Sequence, residues 1–194
     1  MESIQRVFFH ELGHFVAHEL NHKYYNGTGV VEMSLHPCEE NINELCGSCK
    51  PINNSNENNP VPIERLAEYL AVTIHGCLFQ AYFMNQDWLD CMCKSGNGKE
   101  DESQWLATLI NNRQSNLKFT EIENIFFEKI VNEKSLEGFC TLKVQDYIYY
   151  SYNDTHIIHV EKLREDVGVS LEMYYPAYQE LINQYRLKIR YPKA

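Results

Sequence analysis

Apolar residues recur at helical spacing from the start of the chain: Ile4, Val7, Phe8, Phe15, Val16 and Leu20 place one apolar surface on a run from Ser3 to about Asn21. Asn26-Gly27-Thr28-Gly29 reads as a turn, and Val30-Val31-Glu32-Met33-Ser34-Leu35 has the β-formers of a strand ending at Pro37. From Cys38 to Pro60 the pattern dissolves into Asn, Glu, Ser, Pro and Cys, which predicts a loop, with Asn53 to Asn59 too polar to pack. After Pro62, the residues Ile63, Leu66, Ala67, Leu70, Ala71, Ile74 and Leu78 restore the helical period, and this helix is expected to run through Phe83 at the centre of the core. Asp87 to Cys93 fits neither period well. Ser95-Gly96-Asn97-Gly98 then breaks the chain before a helix from about Asp101 through Trp105, Leu106 and Leu109. Thr120-Glu121-Ile122-Glu123 has the form of a capping box opening a helix to about Lys134. Further helices are expected over 139–152, 155–167 and 176–189, the last with Pro176 near its first turn. The tyrosines of this part, among them Tyr147, Tyr149, Tyr174 and Tyr178, read as amphipathic rings at the core margin.

The pattern predicts a mainly α, α+β protein with a small β element. At 194 residues it should be one domain spanning 1–194, with residues 1–115 as its chemical core and 116–194 as a C-terminal helical part. The longest apolar run, Leu70 to Met84, is interrupted by Thr73, His75, Gly76 and Gln80 and is too short for a bilayer span. Met1-Glu2-Ser3 opens without the basic and apolar segments of an export signal, so a cytoplasmic location is expected. In that setting the seven cysteines are expected to be reduced thiols or metal ligands. A formal charge of −10 disfavours nucleic acid and anionic membranes as partners. No phosphate-binding Gly-rich loop and no internal repeat is present.

One pentapeptide changes the picture. His10-Glu11-Leu12-Gly13-His14 reads H-E-x-x-H, a pattern that this composition would produce by chance roughly 0.035 times. On a helix, residues four apart stand one above the other, so both imidazoles can reach one metal ion while Glu11 projects beside them. Two neutral imidazoles suit Zn2+, a catalytic site takes one more protein ligand and keeps one position open, and a neighbouring carboxylate can accept a proton from water. His10 and His14 are therefore the candidate metal ligands and Glu11 the candidate general base of a zinc peptidase acting on peptides or unfolded protein. His18 and His22 continue the ladder, but each step of four turns them further from the metal-facing line. The strand at 30–35 is a candidate for the edge strand that, in zincins generally, pairs with the substrate backbone. Cys46-Gly47-Ser48-Cys49 and Cys91-Met92-Cys93 could close a second, structural zinc site, although unrelated thiols explain them as well.

Several segments together resemble the peptidase domain of the membrane-bound ATP-dependent zinc proteases of FtsH type. The H-E-L-G-H helix through His18 matches that family's H-E-A-G-H helix, and Val31 to Pro37 matches its V-S-I-x-P strand. Ala71 to Gln80 is similar to its second helix, with Gln80 where Glu is usual, and Gly96 to Asp101 resembles the approach to the third zinc ligand. The resemblance covers about residues 4–115 and implies a zincin-like helical peptidase domain, a stand-alone relative without the ATPase module, with Asp101 completing the zinc site. Trp105 departs from the small residue expected after that Asp. The rival third ligand is Glu64, with Glu100, Glu102, Asp87 and Asp90 as weaker ones. Glu64 belongs to Glu64-Arg65-Leu66-Ala67-Glu68-Tyr69-Leu70-Ala71, which resembles a helix of the regulator-cleaving peptidases of ImmA/IrrE type. A metal-stabilised binding or regulatory module without turnover is the remaining alternative. Substrate and oligomeric state are not readable from the chain.

Overall fold

The computed structural model describes residues 2–38, 44–52, 61–94, 96–114 and 119–189. Among these residues six α-helices and four strands follow in the order α1 (Glu2–Tyr24), β1 (Val30–Pro37), β2 (Leu45–Pro51), α2 (Leu66–Met84), α3 (Trp88–Lys94), α4 (Gly96–Asn111), α5 (Thr120–Asn132), β3 (Ile148–Tyr152), β4 (Thr155–Ile158) and α6 (Val160–Lys188). The fold is mostly helical, with one four-stranded antiparallel sheet in the order β2-β1-β4-β3.

The paired helices α1 and α2 form the centre. Val7, Phe8, Leu12, Phe15, Val16 and Leu20 of α1 are buried against Leu70, Ala71, Ile74, Cys77 and Leu78 of α2 and the rest of a single core cluster. Their close approach has a specific cause: a Cβ at Gly13 would overlap the backbone carbonyl of His75, so only glycine lets the two backbones touch there. That contact brings the middle turn of α1 against the middle of α2, where the chemistry lies.

The C-terminal part completes this core. Tyr174, Tyr178 and Tyr185 of α6 are fully buried. Their hydroxyls reach inward: Tyr178 donates to Asn21 Oδ1 (2.8 Å), and Tyr185 to Glu123 Oε1 (2.6 Å). Arg164 of α6 forks onto both oxygens of buried Glu19 (2.8 and 2.9 Å) and onto the Val30 carbonyl (2.7 Å), fastening α6 to α1 and β1.

Several expectations are corrected. The stretch expected as a loop contains β2, paired with β1 over seven positions from Val30↔Pro51 to Pro37↔Leu45; its Asn53–Asn59 portion lies outside the described residues. Leu45-Cys46-Gly47-Ser48-Cys49 has too little β-branched or aromatic content to signal a strand, and the pairing comes from β1. β1 is not the edge strand. It lies between β2 and β4, with Ser34↔Ile157 and Leu35↔His156 on one side and Leu35↔Gly47 and His36↔Cys46 on the other. Residues 148–158 form the β3–β4 hairpin instead of parts of two helices, turning through Asn153 and Asp154, both at positive φ. A single helix, α6, replaces the helices expected to either side of residue 170, and Pro176 lies inside it. Burial of Tyr174, Tyr178, Leu181 and Tyr185 along one face outweighs the backbone hydrogen bond that proline removes. The capping box does not form: Thr120 lies within α5, and Phe119 stands at the cap without a side-chain bond.

Among the described residues no helix is long and apolar enough to cross a membrane. Cys38 and Cys46 form a disulfide, which corrects the expectation of reduced thiols at these two positions. The hairpin register explains it, since the His36↔Cys46 pairing and the Cys38 N–H to Glu44 carbonyl bond (2.9 Å) bring the two cysteines together across the hairpin end.

Candidate metal centre

Three metal-capable side chains converge from two helices. His10 and His14, one turn apart on α1, point their Nε2 atoms at each other (3.3 Å), and Asp101 Oδ2 from α4 stands 3.0 Å from the first and 3.3 Å from the second. The ring hydrogens are already committed elsewhere. His14 Nδ1–H donates to the Val72 carbonyl (2.9 Å), and His10 Nδ1–H donates to Gln80 Oε1 (3.2 Å). In the neutral imidazole this leaves a lone pair on each Nε2, so two nitrogen acceptors and a carboxylate oxygen face one point. Such an arrangement is repulsive without a cation at its centre. Ligands about 2.0–2.1 Å from a tetrahedral zinc ion are roughly 3.3 Å apart, which matches the observed separations.

The cradle is shaped by a glycine on α2. A Cβ at Gly76 would overlap Nε2 of both His14 and His10, the place where an ion would sit. Next to it, the Cys77 thiol donates to Asp101 Oδ2 (3.7 Å) and orients that carboxylate. Gln80 Nε2 in turn donates to Gln86 Oε1 (3.1 Å), which also accepts from the Cys91 thiol (3.3 Å). His10 is thus held by a chain of polar groups running down α2 to α3.

Burial sets the charges. His10, Glu11 and Asp101 are 1, 3 and 8 % exposed. Burial alone would raise the Asp101 pKa, but His14 and His10 hold it well below the usual carboxylate range. Burial alone would lower His14, but Asp101 and Glu11 lift it to about 9. Glu11 moves up, because desolvation outweighs the favourable field of His14 and His10. This makes Glu11 a stronger base than a surface carboxylate.

Other predicted groups fall elsewhere. Glu64 sits exposed in a short 3-10 turn before α2, outside the cluster. Asp101 is not in the first turn of its helix as expected, since α4 begins at Gly96; its ionised form is stabilised by the two imidazoles and not by a helix terminus. His18 is kept neutral by burial and by His14, its pKa lowered to about 4, and His22 donates to the Gly27 carbonyl (3.1 Å). Among the described residues the second zinc site has no geometric basis. Cys46 is in the disulfide, and strand alternation turns Cys49 to the opposite face of β2. Cys91 faces Gln86, and the Cys93 side chain lies outside the described residues.

Two contributors carry no sequence signal of their own. Cys77 is one apolar-looking position in a buried helix, and its role depends on α4 folding back over α2. Gly47 of β2 packs so closely on Glu11 that a Cβ there would overlap the glutamate side chain. The edge strand β2, not β1, is therefore the one beside the site. Protein-family models, characterised proteins and solved structures were all compared with the chain, and none matches.

Proposed function

We propose that the protein is a zinc-dependent peptidase that hydrolyses peptide bonds in extended or unfolded chains, with His10, His14 and Asp101 holding the ion and Glu11 acting as general base. The observation that carries this reading is the convergence of three lone-pair donors at tetrahedral spacing, with a buried carboxylate one residue from the first of them. Two imidazoles and one carboxylate are a donor set suited to catalytic zinc. Zinc in such a site supplies Lewis acidity to water and to a carbonyl. Glu11 takes the proton from the attacking water and passes it to the leaving amine, a role favoured by its raised pKa. Asp101, held by Cys77, and His10, held by Gln80, keep the donors in place. The combination is in keeping with the likeness to FtsH-type peptidases, and the exclusion of Glu64 from the cluster speaks against the ImmA/IrrE-type arrangement.

Replacing Glu11 by Gln leaves all three ligands intact. The variant is expected to bind zinc as the wild type does and to lose peptide hydrolysis by about 10²- to 10⁴-fold on an unfolded protein substrate. Equal hydrolysis by both, above a metal-stripped control, would remove Glu11 from the chemistry.

A second reading, a metal-stabilised module without turnover, is favoured by one observation: Gly47 lies directly on Glu11 and leaves the site nearly closed. Under that reading wild type and Glu11→Gln bind zinc equally and neither hydrolyses peptide.

A further inference from the structure

We propose that residues 45–49 of β2 are a lid over the Glu11 side of the metal centre and that the Cys38–Cys46 disulfide is its latch. The inference concerns access to the cluster, and it rests on the peptidase reading only for its consequence in turnover.

The placement is specific. Cys46 immediately precedes Gly47, the residue seated on Glu11, and its disulfide partner Cys38 immediately follows the last residue of β1. The covalent tie therefore closes the hairpin next to the contact that covers the general base. β2 is held by its ladder with β1 and by Leu45 and Cys49 against the core, and, among the described residues, by no strand on its outer side. It is an edge strand, bonded in the sheet only to β1, so it can leave without breaking a ladder on its other side. Residues 45–49 are only partly buried, and Lys50 is exposed. An edge segment that is only partly buried is among the first to open locally, and a covalent tie beside it raises that cost. β1, by contrast, is flanked by both β2 and β4 and is fixed to Arg164 through the Val30 carbonyl. The hairpin thus has one arm anchored on both sides and one arm, held on one side, whose hold over Glu11 the latch reinforces.

Opening the latch is a two-electron reduction by a dithiol. Cys46 is half-buried and Cys38 buried, so the reductant's thiolate attacks the Cys46 sulfur. This forms a mixed disulfide and releases Cys38 as a thiolate, which takes up a proton. The second thiolate of the reductant then displaces Cys46, which is protonated in turn. One S–S bond is lost from the protein and one is formed in the reductant; two electrons and two protons pass to the protein.

The test is backbone amide exchange at Cys46, Ser48 and Lys50, whose N–H groups face β1 in this register, in the protein as purified, after dithiothreitol, and after reoxidation, with Cys38→Ser/Cys46→Ser as a parallel arm. Reduction should accelerate exchange at these three amides roughly ten- to a hundredfold, the range that releasing a short ring allows. Amides of Leu70 to Leu78 in α2 should not change. Reoxidation should restore protection, and the double variant should behave as the reduced protein and ignore dithiothreitol. If residues 46, 48 and 50 exchange equally in both redox states, there is no latch. If α2 accelerates as much as β2, the disulfide is a staple of the whole fold and the lid is equally refuted. Should the double variant fail to fold, the reversible wild-type comparison still decides. Exchange needs neither metal nor turnover, so its outcome is separate from that of Glu11→Gln, which tests the peptidase reading.

Discussion

At position 76 one methyl group separates a cradle from a filled space. Gly76 faces Nε2 of both His10 and His14, so Gly76→Ala is expected to cut zinc affinity by roughly a hundredfold or more while leaving helix content unchanged, because the added carbon occupies the ion's place without touching the apolar core. Calorimetric zinc titration together with far-UV circular dichroism checks this; normal affinity in the variant would move the ion's position away from Gly76. The choice of third ligand is decided at the same scale. Asp101→Ala should lose most of the zinc affinity, and Glu64→Ala should keep it, since one carboxylate is within 3.3 Å of both imidazoles and the other lies exposed outside the cluster. The reverse result in paired titrations would overturn the ligand set. His10, Glu11 and His14 were legible because a helix makes spacing equivalent to direction. Asp101 was not legible from spacing: among neighbouring acidic residues only the packing of α4 against α1 and α2 singles it out, and its selection came from a likeness to another family. Gly47 and Cys77 were invisible for the same reason, being brought to the site by contacts far apart in sequence.

Among the elements, α5 and α6 enclose a carboxyl group that behaves unlike a surface one. Glu123 is 1 % exposed with Tyr185 donating to it, and burial raises its pKa from 4.5 to about 7. Below pH 4.5 the group is protonated in folded and unfolded chains alike. Between about pH 4.5 and 7 the unfolded chain gives up the proton and the folded chain keeps it, so stability falls as pH rises, by about 3 kcal/mol in total, and the loss is complete above pH 7. Glu123→Gln, which keeps an acceptor for Tyr185 and has no charge to lose, should remove that decline; urea unfolding of both proteins at pH 5 and pH 8 measures it. The same scale shows which sequence signals sufficed. α1, β1 and α2 announce themselves through sustained apolar periodicity. β2 is composed of small and polar residues and depends on its neighbour for definition. At 148–158, adjacent tyrosines suit a helix face or a strand equally, and the hairpin is chosen by the Asn153-Asp154 turn and by pairing with β1, a contact between distant parts of the chain. Pro176 suggested a helix start because its local cost is visible in the sequence and the burial that outweighs it is not.

For the molecule as a whole, the order of the site along the chain matters. Two of the proposed ligands lie in α1 and the third in α4, with β1, β2, α2 and α3 between them. In a zinc finger the ligands are near neighbours, and the ion can gather an otherwise disordered peptide around itself. Here the ion would have to close a loop reaching from residue 14 to residue 101, an entropic cost that the hydrophobic assembly of α1, α2 and α4 must meet first. An ion bound there would therefore arrive at a finished mould. Stripping it with a chelator should leave the far-UV spectrum at 25 °C unchanged and lower the melting temperature, with the loss growing with the logarithm of the zinc concentration that had been present; collapse of the spectrum on chelation would mean that the metal organises the fold. Zinc occupancy in this protein would then report that the long-range topology has formed correctly, since a chain with α4 docked elsewhere could still be helical and compact yet would present only two of the three donors.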